Sequence, residues 1–377
     1  MKHLKFKNLK LFKMSTIILQ ATDTLFFRDG RPFSMGEESF AQGIFPPPPS
    51  VFYGALRSAI IAGKIKEQKT LKQLIEETSS LKINYIGFRS QTMSSKSSSD
   101  WFPMPSDLMV PKTGLNDKAI PLRLIDKPKY SSRLDVDKML FSKEWEGKAV
   151  DGLHLVKSST FEKYLNGTEN KFEVSPLYSF IEKETKIGIG KNNESGTAEE
   201  GQLFRVLMNR PAKDLNNTVK KLQFKISFEG SEIPHQGWAV LGAERKVVHF
   251  ETNDFFAIPC PVLDSNQFKI YLSTPAIFEN GWKPDNLLRE LGLKLVSAAI
   301  GRSVPIGGWD MDKYEPKPML QSVTAGSVFF VQARDVESAQ KAACSIHGQC
   351  ISDNVNGNNY KNQGFGIAYV GNIKINA

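Results

Sequence analysis

FPPPPSVFYGALRSAIIAG, residues 45–63, together with STIILQA, residues 15–21, decides the fold class of this chain. The four prolines impose an extended approach and cannot continue a helix. Ser50 is a good helix N-cap, and the small apolar residues that follow it recur at helical spacing. The β-branched residues of STIILQA favour a strand. We therefore predict a strand–turn–helix unit, followed by a strand over residues 81–88.

A second set of predicted elements begins near residue 256. Residue patterns predict strands over 268–273, 293–300, 327–332 and 366–373, and helices over 284–291 and 336–344. Two successive passes of strands and helices are typical of an α+β protein with two small antiparallel sheets. We expect a first domain over residues 14–255 and a second domain over residues 256–377.

Residues 91–184 lack the sustained periodicity of the flanking segments. SQTMSSKSSSD, residues 90–100, has the composition of a polar linker, and isolated aromatics and prolines follow it. We interpret 91–184 as a long, partly mobile insertion in the first domain. Two short strands are predicted within residues 185–208, and another strand over residues 221–228.

The overall composition is that of a globular protein. The chain has 377 residues, of which 40% are hydrophobic and 24% charged. It contains no run of about 18 apolar residues, so a membrane-spanning helix is not expected. Three cysteines cannot form a disulfide framework, and no secretory signal is visible. We therefore expect a cytoplasmic location.

The net charge is +9, from 49 basic and 40 acidic residues. Five of the lysines lie in residues 1–13, which contain no acidic residue, so the remainder carries only +4. We expect this basic leader to be either a disordered arm or the product of an overlong start assignment. The mildly basic charge of residues 14–377 is compatible with a polyanionic partner but does not require one.

TKIGIGK, residues 185–191, contains closely spaced glycines and lysines. The segment lacks the spacing of a phosphate-binding P-loop, which excludes that type of ATPase. Lys186, Gly188, Gly190 and Lys191 are candidates for a cradle that holds an RNA backbone, because glycine permits close approach and lysine binds phosphate. The alternative is an ordinary β-turn with solvated lysines.

GRSVPIGGWD, residues 301–310, is a second candidate RNA-binding segment. Arg302 is suited to phosphate, Gly307 and Gly308 to close approach, and Trp309 to stacking on a base. The alternative places Trp309 in the core and the glycines in a bulge.

Two arginines and a third glycine turn complete the candidate binding residues. Arg28 and Arg57 are candidate phosphate contacts, and their alternative role is to form ion pairs with nearby carboxylates. The turn at residues 364–366, Gly-Phe-Gly, precedes the last predicted strand. Three glycine turns could converge on one surface.

Catalytic and metal-binding patterns are weak. His235 is the best candidate for the general base of a metal-independent ribonuclease, although a structural or surface role suits it better. Cys344, His347 and Cys350 supply three potential zinc ligands, but no fourth ligand stands out. We therefore expect neither a metal nor another cofactor.

Five segments in this order resemble the third subunit of the Cmr complex, the type III-B CRISPR effector, which belongs to the RAMP superfamily. They are LFFRDGRPF (25–33), FPPPPSVFYGALRS (45–58), GTAEEGQLFRV (196–206), LGAER (241–245) and GRSVPIGGWD (301–310). The family pattern has a second glycine where this chain has Ala243. The resemblance is not apparent in the leader or in the predicted insertion.

The resemblance implies two ferredoxin-like, RRM-related domains and a non-catalytic role. It implies that the chain grips the 5′ tag of the CRISPR RNA, docks the large palm-domain subunit and lies beside neighbouring RAMP backbone subunits. The RNA-binding role is carried onto Arg28, Arg57, Lys186, Gly188, Gly190, Lys191, Arg302, Gly307, Gly308 and Trp309. Two rival hypotheses stay open: a RAMP-type endoribonuclease that processes precursor CRISPR RNA through His235, and a scaffold that binds mainly other subunits.

Overall fold

The computed structural model describes most of the chain. The described residues are 14–28, 40–65, 68–95, 97–111, 118–128, 136–142, 153–192, 194–215, 218–255, 257–310 and 315–373. The predicted basic leader, residues 1–13, and the motif residues 29–33 lie outside them.

The first half of the chain is rich in strands and contains three α-helices among its described residues. The elements are β1 (Ser15–Ala21), β2 (Phe40–Gln42), α1 (Pro49–Gly63), α2 (Leu71–Glu77), β3 (Lys82–Thr92), β4 (Ser98–Pro103), β5 (Leu108–Met109), β6 (Lys118–Pro121), β7 (Arg123–Asp126), β8 (Lys138–Phe141), β9 (His154–Lys157), α3 (Ser158–Asn166), β10 (Phe172–Glu173), β11 (Ser175–Pro176), a 3-10 turn (Leu177–Ser179), β12 (Glu182–Lys191), β13 (Ala198–Arg210), β14 (Ala212–Leu215), β15 (Thr218–Glu229), β16 (Gln236–Val240) and β17 (Val247–Thr252).

A nine-stranded sheet organises this half. Its strand order is β11-β9-β4-β3-β15-β1-β17-β16, with β14 beside β15. The central strands β3, β15, β1 and β17 pair antiparallel throughout. Their apolar face packs against α1, where the Phe52 and Phe224 rings meet edge-on at 4.9 Å. The predicted strand over 15–21 and the helix after the prolines are therefore confirmed, whereas residues 29–39 between them lie outside the described residues and β2 precedes the helix.

Helix α1 begins two residues earlier than its sequence signal suggested. The first helical residue is Pro49 and the cap is Pro48, so the prediction of Ser50 as N-cap is wrong. Proline suits the first turn because the amide hydrogen that it lacks would have no partner within the helix there. Phe52, Leu56 and their neighbours one turn apart are buried against the sheet.

The predicted insertion, residues 91–184, contributes to the sheet rather than leaving it. SQTMSSKSSSD forms the end of β3, a turn and the start of β4, so its interpretation as a linker is wrong. Strands β4, β9 and β11 extend the main sheet. Helix α3 buries Phe161, whose ring stacks on Phe102 with centroids 4.5 Å apart. The described part of this segment belongs to the hydrophobic core.

The second half forms a five-stranded antiparallel sheet with two helices. Its elements are β18 (Gln267–Leu272), α4 (Asp285–Glu290), β19 (Lys294–Ala299), β20 (Val304–Asp310), β21 (Glu315–Ser322), β22 (Val328–Gln332), α5 (Val336–Ile346), β23 (Gln349–Cys350), β24 (Asn354–Val355), β25 (Asn358–Asn359) and β26 (Ile367–Asn372). The sheet order is β19-β22-β18-β26-β23. The strands and helices predicted beyond residue 256 are confirmed, with bounds that differ by at most two residues.

Two hairpins project from these sheets. Strands β12 and β13 pair over most of their length, and β2 adds to β13 in parallel. They are longer than the two short strands predicted within residues 185–208. Strands β20 and β21 form the second hairpin, with a bulge between Ile306 and Gly308.

The two halves share one hydrophobic core. Tyr271 of β18 is fully buried and donates a hydrogen bond to the Pro103 carbonyl of β4, with an O–O distance of 2.7 Å. The main core cluster includes residues from both sheets, among them Val328 and Phe330. The fold is mixed α+β with several antiparallel sheets, and the domain boundary at residue 256 stays a prediction. No helix in the described part of the chain is long and apolar enough to cross a membrane.

Candidate nucleic-acid interface

Three of the segments that carry the family resemblance meet in a small apolar cluster. Phe26 packs with Val206 and Met208 of β13, and Phe204 and Ala243 lie against them. The Ala243 amide donates to the Phe26 carbonyl at 2.9 Å. We call these five residues the motif cluster. Segments as distant in sequence as Phe26 and Ala243 thus converge at one place.

The LGAER turn, residues 241–245, is shaped by a required glycine. Gly242 has a φ of +83°, and a Cβ there would lie 2.6 Å from the Phe26 carbonyl oxygen. Glu244 and Arg245 also have positive φ, at 59° and 48°. Non-glycine residues rarely adopt this region, so the turn is held by its contacts with the motif cluster.

Three exposed arginines lie close in sequence to the motif cluster. Arg28 is two residues beyond Phe26, Arg245 is two beyond Ala243, and Arg205 follows Phe204 on β13. Exposed guanidinium groups are well suited to bind phosphate. Sequence reasoning selected Arg28 but not the other two, although both lie within the GQLFRV and LGAER motifs that carried the resemblance.

Lys186 is held within the protein by an acidic network. Its Nζ donates to Asp23 Oδ2 at 3.2 Å and to Thr24 Oγ1 at 2.9 Å. Arg210 joins the same network through Glu184 at 2.6 Å and Asp23 at 3.2 Å. The Thr24 amide, followed by Lys186, holds the pKa of Asp23 well below its usual range. Asp23 and Glu184 already pair with Lys186. An RNA phosphate would therefore compete with these two carboxylates for the lysine.

Gly188 is explained by packing across the hairpin. It pairs with Phe204, and the phenyl ring occupies the space that a Cβ would need. Gly190 lies on the same inner face of β12, whereas Lys191 is exposed at the end of the strand. The glycine requirement at Gly188 therefore comes from the motif cluster, Lys191 keeps a free surface for RNA, and the predicted role of Gly190 stays a prediction.

Arg57 joins two helices. Its Nε donates to Thr78 Oγ1 at 2.9 Å and its Nη2 to the Ile75 carbonyl at 3.4 Å. The guanidinium also lies over the Tyr53 ring, 5.7 Å from the centroid. These contacts fix α1 against the end of α2, which gives Arg57 a structural function.

A largely apolar cleft of about 400 Å³ separates the two halves near the remaining candidates. One wall is formed by residues 43–49, which include the four prolines. The opposite wall includes Thr274, Val304 and Ile306 from the second half. Arg302 is exposed and lies two residues before Val304, which lines the cleft.

The two glycines of the second-half hairpin differ in their surroundings. A Cβ on Gly307 would lie 2.5 Å from the Met319 sulfur, whereas one on Gly308 would meet only the Lys317 Cδ at 3.6 Å. The backbone of Trp309 pairs with Pro316 in β21. The side chain of Trp309 lies outside the described part of the structure, so its predicted stacking role stays a prediction.

The third glycine turn does not reach this surface. Gly364 has a φ of +88° and packs closely on Ile83 and Ile86 of β3. Phe365, the next residue, is fully buried. The expectation that three glycine turns converge on one surface is therefore wrong, because this turn is part of the contact between the halves.

The candidate zinc ligands are held separately. His347 Nε2 lies 3.0 Å from the Ile258 carbonyl, and its Nδ1 accepts from the Val370 amide at 3.2 Å. The ring therefore carries its proton on Nε2, and burial lowers its pKa. Cys350 is buried and donates to the Ile83 carbonyl at 3.4 Å. Among the described residues, no three His, Cys, Asp or Glu side chains form a potential metal site.

A family model described as CRISPR-associated protein (Cas_Cmr3) matches residues 17–373. The chain belongs to this family. The match confirms the resemblance to the third subunit of the Cmr effector, and it runs through residues 91–184, where the resemblance was not apparent from the motifs. No curated protein matches the chain.

Solved structures similar to this Cas_Cmr3 family member come from type III CRISPR complexes. A chain of the cryo-EM structure of the Type III-B Cmr-beta bound to cognate target RNA is 16% identical with a TM-score of 0.47, and the match covers 84% of this chain and 86% of that one. The corresponding structure with AMPPnP gives 16% identity, a TM-score of 0.46 and the same coverage. A chain of the Csm3-Csm4 subcomplex of the type III-A interference complex is 12% identical with a TM-score of 0.33, over 85% of this chain and 93% of that one.

Proposed function

We propose that this chain is the non-catalytic subunit of a type III-B CRISPR effector that grips the 5′ tag of the CRISPR RNA. In this role it docks the large palm-domain subunit, contacts neighbouring RAMP backbone subunits and acts in cytoplasmic antiviral defence. The observation that carries the proposal is the family match over residues 17–373. The meeting of three family motifs beside exposed arginines supports RNA binding at that place.

The strand order supports a ferredoxin-like assignment for both halves. In the second half, the elements follow as β18-α4-β19-β22-α5-β26, and the sheet places the second, third, first and fourth of these strands in that order. In the first half, β1, β3, β15 and β17 have the same order, with α1 after β1. A second helix is absent between β15 and β17, where every residue from 230 to 246 is described. We assign both halves as RRM-related on this basis.

The proposed RNA contacts differ in part from those predicted. Arg28, Lys191 and Arg302 are exposed and remain candidates for phosphate contacts, and we add Arg205 and Arg245. Phosphate contacts of this kind supply affinity that weakens as salt rises. Tag specificity requires contacts to bases, for which Trp309 stays a candidate.

Several of the other predicted residues make intramolecular contacts that shape the proposed RNA-binding surface. Arg57, Lys186, Gly188 and Gly307 each make or permit an intramolecular contact described above, so we assign them to maintaining the shape of the surface. Gly308 has more open surroundings and remains compatible with close RNA approach.

We assign no catalytic role to His235. His235 immediately precedes β16, and its Nδ1 is hydrogen-bonded to the Thr252 hydroxyl. The five residues of β16 separate it from the LGAER turn by roughly 17 Å of extended chain. A general base must reach the proton that it removes, either directly or through one water. This separation argues against catalysis by His235 on RNA held at the motif cluster.

Binding to two labelled RNAs tests the proposed function. One RNA carries an intact 5′ repeat tag and the other a scrambled tag of the same length, and both are titrated at two salt concentrations. We expect tighter binding to the intact tag, without cleavage. Equal and weak binding that is lost at higher salt would contradict tag recognition by the isolated chain and favour the scaffold hypothesis. Cleavage that disappears in His235→Ala would favour the endoribonuclease.

A further inference from the structure

Two of the three cysteines lie close together where residues 257–266, the connecting segment between the halves, contact helix α5. Cys344 is exposed near the end of α5, and Cys260 is partly buried in the segment before β18. Cys260 Sγ contacts the Pro261 carbonyl and Cys344 Sγ contacts the Gln340 amide, and these two groups are hydrogen-bonded to each other. The sequence spacing had grouped Cys344 with His347 and Cys350, but the fold gives it Cys260 as a neighbour instead.

Gln340 holds the two cysteine-bearing segments together. Its Nε2 donates to the Pro261 carbonyl at 3.3 Å and to Cys344 Sγ at 3.6 Å. Its Oε1 accepts from the Leu263 amide at 2.8 Å. Cys260 Sγ donates to the same Pro261 carbonyl at 3.7 Å. One glutamine therefore aligns the connecting segment on α5, because its amide nitrogen contacts both Cys344 Sγ and the carbonyl that Cys260 Sγ contacts.

The three thiols differ in their access to an oxidant. Cys344 is exposed, so a disulfide reagent in solution reaches it first. Burial raises the pKa of Cys260 to about 11, with Cys344 as the next cause. Burial raises the pKa of Cys350 to about 12, and this residue lies against β3 rather than beside the other two. Cys350 is therefore an internal reference within the same molecule.

We propose that Cys260 and Cys344 form a reversible intramolecular disulfide when the protein meets a disulfide oxidant such as oxidised glutathione. The Cys344 thiolate attacks oxidised glutathione, forms a mixed disulfide and releases one reduced glutathione. Cys260 then loses its proton, attacks the Cys344 sulfur and releases the second glutathione, which takes up a proton. Two cysteine thiols are oxidised and one glutathione disulfide is reduced to two thiols.

The disulfide would fasten the connecting segment to the second half. Ile258 of this segment packs in the core shared by the two halves, and its carbonyl already bonds to His347 at the end of α5. A covalent link at Cys260 and Cys344 closes a loop that contains most of the second half. Closing a long loop restricts the unfolded chain, so the oxidised protein should have a higher Tm than the reduced protein.

Peptide mass mapping of the full chain tests the proposal. Reduced protein is incubated with oxidised glutathione in its folded state, free thiols are alkylated, and the digest is analysed without reduction. We expect a linked peptide pair that contains Cys260 and Cys344, an unmodified Cys350 thiol, no dimer, and loss of the link after dithiothreitol. The linked protein should show the higher Tm.

Single substitutions separate the two steps. Cys260→Ser should accumulate the glutathione adduct on Cys344, Cys344→Ser should leave Cys260 reduced, and Cys350→Ser should form the same link as the wild type. A stable glutathione adduct on Cys344 of the wild type, with Cys260 still free, would overturn the proposal. A disulfide between two chains would overturn it as well.

Discussion

At the residue scale, two glycines of the candidate RNA-binding surface prove to be packing residues. Gly242 and Gly188 sit where a side chain would meet Phe26 or Phe204 of the motif cluster. Sequence alone showed that backbone freedom mattered in these segments, and it suggested RNA as the group that approached. The group that approaches is an aromatic side chain or carbonyl from a distant segment, which no local pattern reveals.

Replacement of Gly242 by alanine should destabilise the fold strongly. The new Cβ would combine an unfavourable positive φ with a clash against the Phe26 carbonyl. Gly348 is a matched control because it has a φ of +73° with no atom within 4 Å of the position. We expect Gly348→Ala to lower the free energy of unfolding by about 1 kcal/mol and Gly242→Ala by about 1–3 kcal/mol more. Urea unfolding measures both values, and equal losses would refute the proposed clash.

A buried lysine between the halves should make stability depend on pH. Lys269 Nζ lies 3.8 Å from Asp107 and 3.4 Å from the centroid of the Tyr164 ring. Burial lowers the pKa of Lys269 to about 8, while Asp107 opposes this effect. The unfolded chain keeps the proton up to about pH 10.4. Between these values the unfolded state binds more protons, so the contribution of Lys269 to the free energy of unfolding rises with pH, by up to about 3 kcal/mol.

Chemical unfolding from pH 7 to pH 10 measures this contribution. The rise should be present in the wild type and in Lys294→Met, whose lysine is largely exposed. It should be absent in Lys269→Met. Parallel pH profiles for the wild type and Lys269→Met would show that Lys269 keeps its ordinary pKa in the folded protein.

At the scale of secondary-structure elements, segments with a clear hydrophobic period were predictable and the others were not. Strand β1, helix α1 and the elements of the second half follow from local patterns. Residues 91–184 gave no such pattern because their strands are short and pair with distant segments. Strand β4, for example, pairs with β9, about 50 residues later. Its serine-rich start resembles a linker in composition, and only the pairing reveals a strand.

Helix α3 should be essential to the core, although it lies within the predicted insertion. Phe161 is fully buried against Phe102, whereas Phe141 of the same segment is 48% exposed. We expect Phe161→Ala to lower the free energy of unfolding by about 3–5 kcal/mol and Phe141→Ala by less than about 1 kcal/mol. Denaturant titration compares them. Small losses of stability in both variants would support the interpretation of residues 91–184 as a partly mobile insertion.

Two arginines predicted to contact RNA, Arg57 and Arg302, should behave differently. Arg57 joins α1 to α2, so Arg57→Ala should cost about 1–2 kcal/mol of stability. Arg302 is exposed, so Arg302→Ala should leave stability within about 0.5 kcal/mol and lower the salt slope of RNA binding by about 1. Thermal unfolding and RNA titrations at several salt concentrations separate the two effects. An unchanged salt slope in Arg302→Ala would remove that residue from the proposed site.

At the scale of the whole molecule, one hydrophobic cluster spans the two halves, and a cleft lies along their boundary. Tyr271 and Lys269 of β18 reach into the first half, and the Gly364 turn packs on β3. The surface beside the motif cluster and the rim of the cleft are therefore held in a fixed relation. A single RNA segment could contact Arg28 and Arg302 together only if the two halves keep this arrangement. The proposed RNA binding therefore depends on the core that the halves share.

Crosslinking of a tag RNA to the full chain tests the central claim most directly. The RNA carries 4-thiouridine within the 5′ tag, and crosslinked peptides are identified by mass spectrometry, with a scrambled tag as the control. We predict adducts in the segments around Arg28, Lys191, Arg245 and Arg302, with fewer adducts from the scrambled tag. Adducts confined to other parts of the chain, or equal yields from both RNAs, would contradict tag recognition by this surface.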